Sequence, residues 1–211
     1  MKAATVRSRP NPRRRSAEIL AAAAQVFAER GFHGASTQDI ADVLGIRQAS
    51  LYYYFDSKEA ALEEVCARGA EGYAEAAAAV AASTGTAADK VYRLIDAHLS
   101  PMLDRAAFVM VFQRERRYLP KDSRRRVGRF SRNYERIVES VLKAGVAAGE
   151  FRRDLDCRLC ALALLGMGNA ATHWFNKEPG VTVERLATEF TRLLVDGMTK
   201  APRPPLRRVA A

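Results

Sequence analysis

Residues 37–60 read TQDIADVLGIRQASLYYYFDSKEA, and the spacing in this stretch decides the fold. Ser36 stands just before it with Asp39 three positions on, the pairing of a helix-starting capping box. Ile40, Ala41 and Leu44 recur at helical spacing, and Gly45 suits the left-handed turn that ends a short helix over 37–44. A second helix over 47–54 follows at once. Ile40, Leu44, Ile46 and Leu51 fall where two such helices must pack on each other, and Ala41 is small where they cross. A helix pair joined by a short glycine turn is the unit whose second helix enters the major groove of double-stranded DNA.

The run Tyr52-Tyr53-Tyr54-Phe55 sharpens that reading, because four consecutive aromatics cannot all face one core. Leu51 faces inward, which leaves Arg47, Gln48, Ala49, Ser50, Tyr52 and Tyr53 to supply the free face. Arg and Gln read base edges in bidentate fashion, and Ala meets a thymine methyl. Tyrosine hydroxyls, Thr37 at a helix N-terminus and Lys58 suit phosphate oxygens, which set register without reading sequence. Two tyrosines and the lysine are therefore expected to clamp the DNA backbone while Tyr54 or Phe55 packs inward. The alternative is an ordinary helical hairpin with a solvated face.

Outward from this stretch the chain reads as all-α. It has 211 residues, 48% of them hydrophobic, and holds Ala-rich and Leu-rich runs without a convincing alternating strand. Helices are predicted over 16–30, 56–82, 87–104, 106–118, 121–148, 156–175 and 182–199, about nine with the pair already described. The formal net charge of +10 is unevenly placed. Residues 1–15 hold six basic residues and no acid, and residues 200–211 hold four and none. Residues 114–132 hold nine basic residues against two acids, so the rest of the chain is net acidic. Basic termini suit nucleic acid or simple solubility.

No apolar run reaches the roughly 18–20 residues of a membrane span, and the N-terminus lacks the apolar stretch of a signal peptide. No membrane partner is expected, and the location follows as cytoplasmic and nucleoid-associated. Cys157 and Cys160 form a C-x-x-C pair without a second ligand pair or a βαβ context, so two small buried residues are expected, with no metal and no cofactor. His33, His98 and His173 are widely spaced. No Ser/His/Asp or Cys/His grouping and no phosphate-cradling glycine loop is present, which argues against an enzyme. A sequence-tolerant architectural DNA binder using the basic arm and tail is a further reading.

The order of an N-terminal helix, T-x-x-I-A-x-x-L-G-I over 37–46, S-L-Y-Y-Y-F over 50–55 and S-K-E-A over 57–60 resembles the TetR family of transcriptional regulators. The resemblance implies an N-terminal three-helix DNA-binding domain and a larger helical domain that binds a small molecule and dimerises. The corresponding division is a disordered basic arm 1–15, a DNA-binding domain 16–60, a ligand-binding and dimerisation domain 61–200 and a flexible basic tail 201–211. By this resemblance Thr37, Gln48, Ala49, Ser50, Tyr52, Tyr53 and Lys58 match DNA-contacting positions. Arg47 and Gln48 lie where members vary. The arrangement FQRERRYLP, VGRFSRNYERIVESVLKAGVAAGEFR and LALLGMGNAATHWF is similar to members that regulate lipid and acyl-CoA catabolism. That implies a homodimeric repressor released from a palindromic operator by a small hydrophobic effector, a fatty acyl-CoA or related CoA thioester. The same type of regulator sensing a non-CoA hydrophobic compound or drug is the alternative.

An effector pocket is expected between the middle helices. Met102, Phe108, Met110, Val111 and Phe112 supply an apolar lining, and His173, Trp174 and Phe175 close it, although each taken singly also reads as core. Arg116 belongs to the basic segment 114–132, which reads equally as a CoA-phosphate site or second DNA contact and as solvated surface. The dimer interface is expected on the last two helices, at Leu165, Gly168, Phe190, Leu194 and Met198 with Gly166, Ala170, Ala171 and Leu193 beside them, forming a two-fold four-helix bundle. The alternative is that these stripes pack within one subunit.

Overall fold

The structure, a computed structural model, describes residues 12–199. The basic stretches up to residue 11 and from residue 200 onward lie outside the described residues. Eleven α-helices follow in order: α1 Pro12–Gly34, α2 Thr37–Leu44, α3 Gln48–Leu51, α4 Lys58–Ala70, α5 Tyr73–Ala82, α6 Ala87–Leu99, α7 Pro101–Asp104, α8 Ala106–Glu115, α9 Lys121–Ala147, α10 Cys157–Ala171 and α11 Val183–Thr199. Nine have eight residues or more, and no strand occurs among the described residues, so the all-α reading holds.

Several boundaries differ from the sequence expectation, each for a local reason. α1 starts four residues earlier than expected, and Gly31 kinks its end (φ 69°). The helix expected over 56–82 breaks into α4 and α5 at Gly72, which sits in the left-handed region at φ 83°. Pro101 divides the helix expected over 87–104, since it has no N–H to continue the ladder and opens α7 instead. α3 is a single turn. Beyond it the N–H groups of Tyr54 and Phe55 both return to the Leu51 carbonyl, which turns Phe55 into the core.

The described chain divides into two compact units: residues up to Ala70 with Ala107–Val127, and Glu71–Ala106 with Gly128 onward. In the first, α1 buries Ile19, Ala23, Val26 and Phe27 along one face, at the i, i+4, i+7, i+8 spacing of a helix stripe. Ile40, Leu51, Phe55, Leu62, Val65 and Val111 complete that core. Each large side chain so buried contributes about 1.5–3 kcal/mol. Gly69 lets α4 and α8 approach closely. A Cβ there would stand 2.4 Å from the Phe108 carbonyl oxygen.

In the second unit α6 packs against α5, α10 and α11. Val91, Leu94, Ile95 and Leu99 of α6 share a core with Val138, Leu142, Leu164 and Ala187. The segment after α9 is tied down by the Arg152 N–H to the Met198 carbonyl at 2.9 Å and by Glu150, which accepts from the Ala87 N–H at 2.7 Å.

Gly69→Ala meets backbone rather than a yielding side chain, so it is expected to destabilise the protein by about 1–3 kcal/mol. Chemical denaturation measures this, and an unchanged midpoint would contradict the close packing of α4 on α8.

Candidate functional site

The reading unit is built from its caps outward. Ser36 has extended backbone, and its Oγ accepts from the Asp39 N–H at 3.1 Å. The Asp39 carboxylate in return accepts from the Ser36 N–H at 2.8 Å and from its hydroxyl at 2.7 Å, completing the expected capping box. Those hydrogen bonds from Ser36, helped by the nearby Arg30 guanidinium, hold the Asp39 carboxyl below its ordinary range. At the other end Gly45 lies in the left-handed region (φ 61°, ψ 35°). The Gly45 N–H reaches the Asp42 carbonyl and the Ile46 N–H the Ala41 carbonyl, both at 3.1 Å, a Schellman closure. A side chain at Gly45 would meet nothing, so conformation rather than space calls for glycine there.

Between these caps Ile40, Ala41 and Leu51 are fully buried, and they set α3 against α2. Everything else on α3 faces outward. Arg47, Ala49 and Ser50 are exposed and Gln48 half-buried. Gln48 donates to the Thr37 hydroxyl at 2.7 Å, and the Tyr52 hydroxyl lies 3.5 Å from the same oxygen, so three polar tips from α2, α3 and the following turn gather in one place. Tyr52 is 50% and Tyr53 86% exposed, while Tyr54 packs on the core and Phe55 is buried. Two aromatics go out and two go in. At 86% exposure Tyr53 keeps an edge-on contact with the Tyr54 ring, 5.1 Å between centroids, and little else within its own chain. Val43, 52% exposed on α2, joins the outward set. No sequence signal marked it, because a valine at that position reads as one more apolar residue of an amphipathic helix.

Lys58 is placed differently from the other residues of the expected DNA face. Its ammonium donates to the Phe32 and Ala35 carbonyls, both at 2.9 Å, and lies 4.5 Å over the Phe32 ring. The Phe32 N–H, on the other side of the same residue, donates to the buried Glu115 carboxylate at 3.0 Å. Lys58 and Glu115 thus grip the bend between α1 and α2. In the basic segment, Arg124 donates to the Arg117 carbonyl, Arg125 pairs with Asp122, and Arg126 pairs with Glu63. The Arg116 guanidinium lies 5.1 Å over the Phe112 ring.

A helix pair capped and packed in this way, with a polar, tyrosine-rich free face, matches the model of bacterial regulatory proteins of the tetR family over residues 19–65. Residues 84–198 match a tetracyclin repressor-like C-terminal domain. The chain belongs to the TetR family. It is 32% identical over 192 residues to the HTH-type transcriptional repressor KstR2 of Rhodococcus jostii, covering 87% of this chain and 91% of that protein. The solved structure of the ketosteroid transcriptional regulator KstR2 of Mycobacterium tuberculosis superposes with a TM-score of 0.82 at 26% identity, covering 89% of this chain and 96% of that one. FadR of Bacillus subtilis, solved in complex with stearoyl-CoA, matches with a TM-score of 0.68 at 26% identity, covering 86% and 98%. This TetR-family chain is accordingly a DNA-binding transcriptional regulator, and none of its described helices is long and apolar enough to cross a membrane.

The residues expected to line an effector pocket are divided between the two units. Phe108, Val111 and Phe112 belong to the first unit's core, whereas Met102, Trp174 and Phe175 pack on the second unit's. Met110 is half-buried, and Arg116 and His173 are exposed. A small hollow of about 10 Å³ in the second unit is lined by Met102, Ala106, Thr172, Phe175 and Asn176. The dimer-face expectation requires correction. Leu165 and Met198 are buried in their own unit, Phe190 and Leu194 pack on its core, and Gly168 lies against the His98 ring. Both helices carry two apolar rows, and the residues expected at the interface fall on both. The outer row holds Leu159, Leu162, Gly166 and Ala170 on α10 and Leu193 and Gly197 on α11, with Leu159 63% and Leu193 67% exposed.

Sequence reading also passed over a buried polar group in the second unit. The His98 ring has Nδ1 2.9 Å from the Tyr134 hydroxyl and Nε2 3.2 Å from the Asn169 Oδ1, with Tyr73 packed beside it at 5.3 Å between centroids. Burial pushes the imidazole down to about 4, an effect the Asn169 hydrogen bond only partly offsets. Burial likewise raises both phenols, Tyr73 to about 12. Nothing in a lone histidine at position 98 announces partners 36 and 71 residues away. Among the described residues no group of three or more His, Cys, Asp or Glu side chains is placed to hold a metal ion.

Two substitutions separate the roles. Tyr53→Ala is expected to leave the melting temperature unchanged and to weaken operator binding about tenfold, the loss of one hydrogen bond to a charged oxygen. Lys58→Ala is expected to cost about 2–3 kcal/mol of stability through its two carbonyl partners and the Phe32 ring. Thermal melts and operator titrations of both variants check this, and a stable Lys58→Ala protein would refute the assigned grip.

Proposed function

We propose that this regulator is a homodimeric repressor, held on a palindromic operator and released by a small hydrophobic effector, a fatty acyl-CoA or related CoA thioester. The observation that carries the DNA half is the free face of Arg47, Gln48, Ala49, Ser50, Tyr52 and Tyr53, with Thr37 joined to it through Gln48 and Tyr52. Arg47 and Gln48 read base edges, Ala49 lies against a thymine methyl, and the hydroxyls of Thr37, Ser50, Tyr52 and Tyr53 take phosphate oxygens. Lys58 serves this face by fixing the bend before α2. The protein works in the cytoplasm, on the nucleoid.

Dimerisation runs through the outer rows of α10 and α11. Gly166, Ala170 and Gly197 let paired helices approach closely, and Leu159, Leu162 and Leu193 supply area that is otherwise left in water. A two-fold dimer presents two α3 helices about one DNA turn apart, ~34–36 Å, which matches a palindrome. Effector binding favours a dimer whose reading helices are wrongly spaced. A coupling of about 1–3 kcal/mol reduces operator affinity ~5–150-fold. Support for the effector class comes from the relatives, since one is named a ketosteroid regulator and another was solved with stearoyl-CoA.

Fluorescence anisotropy of the DNA upstream of the protein's own gene, in about 150 mM salt with excess random competitor, tests this reading. Tight binding released by one acyl-CoA chain length is expected. Binding indifferent to palindromy or to every acyl-CoA would overturn the respective half. Leu162→Glu, a charge placed in the outer row, is expected to sediment as a folded monomer and to lose operator affinity. A dimer that survives it would move the interface elsewhere.

A further inference from the structure

Resting on the reading that this regulator answers to an effector, we infer that His98, Tyr134 and Asn169 form a recognition point for a neutral carbonyl oxygen next to the apolar part of that effector. The hollow lined by Met102, Ala106, Thr172, Phe175 and Asn176 takes part of that molecule's apolar body.

The hydrogen bonding sets the chemistry. Asn169 presents its amide oxygen to Nε2, so Nε2 carries the proton and donates, and Nδ1 accepts from the Tyr134 hydroxyl. The imidazole therefore aims a single uncharged donor at a carbonyl oxygen of the protein's own. A ligand carbonyl (ketone, ester or thioester) replaces that amide oxygen like for like. A carboxylate does not, because it would surrender its hydration without a cation at the ring. The titratable groups that face His98 are Tyr73 and Tyr134, both neutral phenols. Arg105 lies over the Tyr73 ring at 5.8 Å and donates to the Glu71 carbonyl.

The geometry also distinguishes this group from a sealed structural network. His98 and Tyr134 are buried, yet Asn169 is an exposed residue whose side chain reaches inward. Gly168 makes that reach short, since a Cβ there would stand 2.2 Å from the His98 ring. The Thr172 hydroxyl, on the rim of the hollow, donates to the Asn169 backbone carbonyl at 2.7 Å. Met102 follows His98 by one helical turn and lines the same hollow. An incoming molecule can therefore meet Asn169 and the hollow together. The hollow as it stands has room for little more than one water molecule, about 10 Å³, so occupancy displaces Asn169 and Phe175.

The test uses the full-length protein with two probes of equal carbon number, methyl octyl ketone and decanoate. Binding is followed by fluorescence of Trp174, the chain's single tryptophan, which neighbours Phe175. The ketone is expected to bind about tenfold or more tightly than the carboxylate, as a site built to donate one hydrogen bond requires. Asn169→Ala is expected to tighten ketone binding by removing the internal competitor, and His98→Phe to abolish the preference. If His98→Phe does not fold, the imidazole nitrogen resonances of the native protein decide instead, and they are expected to shift on ketone saturation. Equal affinity for the two probes, no binding of either, a preference that survives His98→Phe, or unmoved imidazole resonances would each overturn the inference. A protein that binds the ketone at His98 yet keeps its operator under every effector upholds this site and defeats the repressor-release reading, so the two fail separately.

Discussion

The peptide of Phe32 sits immediately after the left-handed bend at Gly31 and four residues before the cap of α2. Its N–H is held by the Glu115 carboxylate and its carbonyl by the Lys58 ammonium, which also holds the Ala35 carbonyl. Its ring lies under that ammonium and against Tyr118. A chain reversing direction at a helix end leaves polar groups that cannot bond along the helix, and burying them unpaired is costly. Here long side chains from α4 and α8 satisfy them. The direction in which α2 leaves α1 is thereby set, and the orientation of α3 on α2 inherits it.

That constraint explains why the free face of α3 can consist almost wholly of groups with no structural task. Its packing rests on Ile40, Ala41 and Leu51, and its turn on Gly45. The outward residues are then available for recognition, and an exposed Tyr53 costs the fold little. Lys58 illustrates how one residue type serves either purpose. A long flexible cation after an aromatic run suits a phosphate equally well, and only the two carbonyls within 2.9 Å show where its ammonium goes.

The second unit places an elaborate polar arrangement inside an apolar core. An imidazole, a phenol and an amide from α6, α9 and α10 satisfy one another, with the Tyr73 ring of α5 packed beside them, where hydrocarbon would have packed more cheaply. Burial keeps the histidine neutral and both tyrosines protonated through the physiological range. The group offers directional hydrogen bonding without charge.

Much of the fold was legible in the residues themselves. The Ser36–Asp39 box, Gly45 and the Ile40/Leu51 spacing act over a few positions, where local geometry dominates, and they settle the helix-turn-helix by themselves. The family-bearing runs through 60 follow from the same stretch. The breaks at Gly72 and Pro101 were missed, since a glycine within a helical pattern does not say whether it will take a positive φ and a proline is tolerated where a new helix starts. What only the tertiary structure decided is which of two equivalent faces turns inward and which distant side chains meet. On α10 and α11 both rows are apolar, and periodicity cannot rank them, so Leu165 and Met198 went into the core and Leu159 and Leu193 stayed out. His98 acquired Tyr134 and Asn169, and Glu115 acquired Phe32, across separations that no local spacing rule reaches. Local sequence specifies the ends and stripes of helices because neighbouring backbone groups are tied together covalently. Partners brought together by packing are chosen by the whole core at once.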